Sequence, residues 1–99
     1  MGDTKDSRPK SAYRAVVHGR VQGVGFRYSA LSKALSLGLT GWVRNCRDGT
    51  VETHFEGAAD KTGEFLKWLS RGPSSSRVIR VDKHAVPPQE VYRTYSIEY

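Results

Sequence analysis

The chain has 99 residues, of which 37% are hydrophobic, and a formal net charge of +6. That length makes one domain with one core. The composition is too apolar for a disordered chain, and no apolar run approaches the roughly 20 residues that span a bilayer.

Residues 1–11 are polar and charged and have no periodicity, so they read as a flexible tail ahead of a domain over 12–99. The N-terminus lacks the apolar segment of a signal peptide, which predicts a cytoplasmic protein. Tyr13–His18 reads as a strand with Tyr13, Ala15 and Val17 on one face and Arg14, Val16 and His18 on the other. Gly19–Gly25 is a glycine-rich loop. From about Phe26 to Leu37 the period becomes helical, with Tyr28, Leu31, Ala34 and Leu35 as the apolar stripe and Gly38 as the stop. Gly41–Cys46 is a second strand, Arg47-Asp48-Gly49-Thr50 a hairpin turn, and Val51–Glu56 a third strand. On that third strand Val51, Thr53 and Phe55 face the core, and Glu52, His54 and Glu56 face solvent.

Asp60–Ser70 is a second amphipathic helix, with Phe65, Leu66, Trp68 and Leu69 as its apolar residues and Gly72-Pro73 as its end. Ser74-Ser75-Ser76 reads as a linker, Val78–Val81 as a fourth strand, Pro87-Pro88 as a break, and Tyr92–Tyr99 as a short final strand. The order is β-α-β-β-α-β plus one strand. This is an α+β, ferredoxin-like split βαβ sandwich, with a mostly antiparallel sheet and two helices on one face. The place of the last strand in that sheet stays open.

The chemistry concentrates in two stretches. Gly19-Arg20-Val21-Gln22-Gly23-Val24-Gly25-Phe26-Arg27 carries three glycines in seven residues and runs straight into a helix. Its amides are unshielded, and a helix N-terminus adds free N–H groups and a positive dipole end, so the loop can nest an anion. Arg27 falls in the first helical turn, where a cation is slightly disfavoured by the dipole. A guanidinium beside an amide nest would complete a bidentate phosphate clamp. Glycine-rich turns that bind nothing have the same pattern, and the P-loop and dinucleotide spacings are absent.

The second stretch is Gly41-Trp42-Val43-Arg44-Asn45. In a split βαβ the first and second strands run parallel with the third between them, so Asn45 ends on the same sheet edge as the loop. Its carboxamide can hold a water, or it can cap the Asp48-Gly49 turn. His18, His54 and His84 stand on separate strands without metal-ligand spacing and read as exposed. The single Cys46 excludes an internal disulfide and a cysteine-based zinc site, and it reads as an inert thiol. Asp48 reads as a turn residue.

With Gly49, Val51 and Gly57 following, these two stretches resemble the two signatures of the acylphosphatase family, and the resemblance extends over about residues 12–99. It implies hydrolysis of acyl phosphates to a carboxylate and inorganic phosphate without a metal or cofactor. By position, Arg27 corresponds to the family's phosphate-binding arginine and Asn45 to its water-orienting asparagine. The amides of Gln22, Gly23, Val24, Gly25 and Phe26 would form the phosphate cradle. Gly25 departs from the bulky residue that many relatives carry.

The expected partners are a small acyl phosphate and inorganic phosphate, the latter as product and inhibitor. The expected state is a monomer that binds neither nucleic acid nor membrane. The net positive charge also suits an RNA-binding sheet, but the aromatic stacking signature of such sheets is missing from Val51–Glu56. A non-catalytic interaction domain of the same fold is the other alternative. The pairing of Arg27 with Asn45 argues against it.

Overall fold

The computed structural model describes residues 9–99. Its elements are β1 (Lys10–Arg20), α1 (Phe26–Ser36), β2 (Thr40–Asn45), β3 (Val51–Ala58), α2 (Ala59–Arg71), β4 (Arg77–Val86) and β5 (Tyr95–Glu98). The sheet order is β4-β1-β3-β2-β5. β3 is antiparallel to β1 and β2, β4 is antiparallel to β1, and β5 joins the far edge parallel to β2. The expected fold is therefore present. Of the expected tail, residues 1–8 lie outside the described residues, while Lys10 and Ser11 open β1 opposite Ala58 and Gly57. β4 runs five residues beyond its expected end at Val81. At its bulge Gly19 pairs with Val78 and His18 with Arg80, which leaves Ile79 as the extra residue.

Alternation along the strands aims Ala15, Val17, Val43, Val51 and Phe55 at the helix layer, where all are buried. Phe65 and Leu69 of α2 meet them, and Phe65 lies edge-on to both Phe55 and Tyr95. β2 runs close against β3 at Gly41. With φ +135° there, a side chain would drive its Cβ into the His54 carbonyl, so only glycine fits.

The face expected for α1 is a correction. The buried row is Phe26, Ala30 and Ala34, at i, i+4 and i+8, whereas Tyr28 is 62% and Leu35 49% exposed. The two alanines let the helix lie close to the sheet, and the larger apolar side chains sit at its flanks.

The other sheet face is also a correction. His54 is fully buried, Glu56 is 5% exposed, and the Glu52 side chain is mostly covered. The cover comes from the chain after β4. The Tyr92 ring lies 5.4 Å from His54, and the backbone amides of Gln89 and Glu90 donate to the Glu56 carboxylate at 2.8 and 2.9 Å. The His54 ring nitrogen stands 2.6 Å from the same carboxylate. Nearby, Arg14 and Arg44 lie over the Trp42 ring at 4.9 and 5.0 Å and share Glu52. His18 is half-buried against Asp82, and His84 alone of the three is exposed as expected.

Burial pushes the Glu56 carboxyl up, but the bonds from His54, Gln89 and Glu90 outweigh it and hold the carboxyl below the usual range. A depressed folded pKa gives stability that is present above the unfolded pKa and lost as pH falls through the folded one. Thermal melts should therefore fall steeply below about pH 4. Glu56→Gln should lower stability at pH 7 by about 2 kcal/mol, near 10 °C in Tm, and flatten the acid limb. An unchanged acid limb in that variant would remove Glu56 from this role.

Candidate active site

The loop after β1 takes its shape from two buried anchors. Val21 and Phe26 are each 1% exposed, and Phe26 packs on Trp68 at 5.5 Å. Gln22 to Gly25 arch outward between them as consecutive turns. Gly23 and Gly25 take φ 75° and 80°, conformations that L side chains rarely adopt.

Gly25 is the N-cap of α1, no side chain caps the helix, and no acidic residue lies in its first turn. The first intrahelical bond is Ser29 N–H to the Gly25 carbonyl at 3.0 Å. The amides of Phe26, Arg27 and Tyr28 thus have no carbonyl of the helix to bond, and the dipole's positive end is unopposed.

Arg27 is half-buried in that first turn, with its guanidinium 5.1 Å from the Tyr99 ring centre. It has no carboxylate partner among the described residues, so its charge is free for an anion. The Tyr99 hydroxyl lies 3.4 Å from that of Tyr28. That bond is the main cause holding the Tyr99 phenol above its usual pKa, against the pull of Arg27.

Asn45 is the last residue of β2. It pairs with Val51, and so does Val17 of β1. Asn45 therefore lies two strand spacings, about 10 Å, from the β1 residue four positions before Val21. It shares the parity of Val43, so it projects toward the helix layer, the side on which α1 lies. Arg44 pairs with Glu98 in the parallel β5, and extending that register by one residue brings Tyr99 opposite Asn45. The ring beside Arg27, one residue past β5, and the asparagine thus stand side by side at one sheet edge.

Asn45 does not cap the turn. Asp48 does so, accepting from the Thr50 amide at 3.0 Å and from its hydroxyl at 2.6 Å. The Thr50 hydroxyl is the main cause that holds the Asp48 carboxyl below its usual range, which makes it a weak base. The Asn45 carboxamide is exposed and has no partner among the described residues.

Two side chains beyond the expected roles hold the loop. The Gln22 carboxamide donates to the carbonyls of Cys46 and Thr50 at 2.7 and 2.9 Å, tying the loop to the β2–β3 hairpin. The Ser75 hydroxyl donates to the Val24 carbonyl at 2.7 Å from the opposite side. The expected serine linker is therefore also a loop support. No signal in the sequence marked either contact, because each joins segments more than 20 residues apart.

Gly23, Gly25 and Asn45 are open to solvent. Three concavities, of about 420, 490 and 340 Å³, lie elsewhere, and neither Arg27 nor Asn45 lines them. A small dianion gripped by amides and a guanidinium needs converging donors more than depth. Among the described residues no three His, Cys, Asp or Glu side chains gather as a metal-ligand set.

A model of the acylphosphatase family matches residues 13–97. An acylphosphatase of Pseudomonas paraeruginosa is 49% identical over 77 residues, 78% of this chain and 85% of that protein. Among solved structures, an acylphosphatase from Coxiella burnetii superposes with a TM-score of 0.88 at 32% identity, covering 97% of this chain and all of that one. The acylphosphatase from Bacillus subtilis gives 0.86 at 37% identity, over 90% of this chain and 99% of that one. The match takes in every strand and both helices together with the glycine loop and the β2 end, and the chain belongs to the acylphosphatase family, hydrolysing acyl phosphates to a carboxylate and inorganic phosphate.

Proposed function

We propose that Arg27 and the amides from Gln22 to Arg27 bind the phosphoryl group and that Asn45 orients the attacking water. The observation that carries this reading is the convergence at one sheet edge of an uncapped helix start with a guanidinium and a carboxamide that have no ion-pair or hydrogen-bond partner among the described residues. An acyl phosphate has a good leaving group, so the task is to hold the phosphoryl oxygens and aim a water in line. Water attacks phosphorus, the bond from phosphorus to the acyl oxygen breaks, and the carboxylate leaves with the bonding pair. The proton of the water passes to a phosphoryl oxygen, since Asp48 is committed to Thr50. Arg27 and the amides grip the equatorial oxygens more tightly as charge redistributes.

In this reading the enzyme works without a metal, inorganic phosphate competes for the cradle, and a monomer suffices because every proposed group comes from one chain. The unit that folds and acts is the expected domain extended to take in the start of β1 at Lys10, in the cytoplasm. No helix among the described residues is long and apolar enough to cross a membrane. On the helix-free sheet face Trp42 is covered by two arginines and His54 by Tyr92, which supports a reading without nucleic acid. Release of phosphate from benzoyl phosphate should proceed at the same rate with and without EDTA. A rate that collapses in EDTA and returns with a divalent cation would refute metal independence.

A further inference from the structure

We infer that the Gln22 side chain is a positioning residue that sets the register between the two halves of the site. The inference rests on the roles proposed for Arg27 and Asn45. Every proposed phosphate contact lies on the loop and the first turn of α1, whereas the proposed water contact lies on the end of β2. Among the described residues, one side chain bonds the loop directly to the β2–β3 hairpin. The Gln22 carboxamide gives one N–H to the carbonyl of Cys46, the residue after Asn45, and the other to that of Thr50. Cys46 and Thr50 are themselves joined, Cys46 N–H to the Thr50 carbonyl at 2.9 Å, so Gln22 grips the closed neck of the turn. The other loop support, Ser75, reaches Val24 from the α2–β4 connection and touches nothing on β2.

With this clamp lost, the loop and α1 still hold phosphate, but water and phosphorus no longer meet in line. A misplacement of about 1 Å at this stage lowers a rate by up to about 10²-fold.

The test is Gln22→Met, which keeps length but has no donor, measured alone and with Asn45→Ala on benzoyl phosphate. The expected kcat falls by about 10- to 100-fold, while the inhibition constant of inorganic phosphate stays within about twofold of wild type. The double variant should be no slower than Asn45→Ala alone, within about threefold, because Gln22 acts through Asn45. Gln22→Glu keeps the shape but sets a carboxylate oxygen, in place of the donating Nε2, against both carbonyls. Its kcat relative to wild type should recover in part, through the one O–H of the protonated form, as pH falls toward its carboxyl pKa, ordinarily about 4.3 and raised here by the facing carbonyls.

Wild-type kcat in folded Gln22→Met, with Asn45→Ala impaired, would overturn the inference and leave the parent reading standing. Equal losses in both backgrounds, or phosphate affinity lost in parallel with kcat, would also overturn it. So would loss of folding in both Gln22 variants, which would make the side chain structural. Wild-type turnover in Asn45→Ala would instead sink the parent reading and take the inference with it.

Discussion

Arg27→Gln should turn over benzoyl phosphate at least 10²-fold more slowly than the wild type and lose most of its inhibition by inorganic phosphate. Removing one preorganised donor from a charged transition state costs on the order of 10²–10³ in rate. Here the change removes a full charge as well as a forked donor, beside amides that carry only partial positive charge. The ground state feels the loss too, so the inhibition constant of phosphate must rise along with the fall in kcat/KM. Stability should barely move. Arg27 has no ion-pair partner among the described residues, and its contact with the Tyr99 ring is worth about 0.5–1 kcal/mol at an exposed site. A folded variant with near-wild-type turnover would exclude the proposed role.

Asn45→Ala should give the complementary result. The expected loss in kcat is again about 10²-fold or more. Phosphate inhibition should stay close to wild type, because in the proposed arrangement the carboxamide serves the water and not the phosphoryl oxygens. The Cys46–Thr50 turn is built by Asp48 and backbone bonds, so removing Asn45 leaves the hairpin intact. Loss of phosphate affinity equal to the loss of rate would move Asn45 from water positioning to phosphate binding. Near-wild-type turnover would remove it from the chemistry.

The order of elements was legible because the inward faces alternate cleanly. Ala15 with Val17 on β1 and Val51, Thr53 and Phe55 on β3 give the period of a half-buried strand. The meeting of the glycine loop with Asn45 followed from topology, since split βαβ connections put the ends of β1 and β2 on one edge. Other features depended on contacts that no local pattern carries. On α1 the core is made by Phe26, Ala30 and Ala34; Ala34 belonged to the expected stripe, but a reading weighted by bulk also favoured Tyr28 and Leu35, which are exposed. His54 and Glu56 alternate like solvent-facing residues, and what buries them is chain more than 30 residues away. β4 extends past Val81 through Asp82, Lys83 and His84 because an edge strand pairs by its backbone and needs no apolar pattern there.

The bulge at Ile79 bears on how molecules of this kind behave when crowded. β4 is a ten-residue border whose outer amides and carbonyls could in principle template another strand. The extra residue twists that border out of plane in its N-terminal half. Arg77, Arg80 and Lys83, all exposed, line the approach with positive charge. A neighbouring molecule offering the same border would meet like charges and a register that cannot match for more than a few residues, so colloidal stability is written into the edge itself.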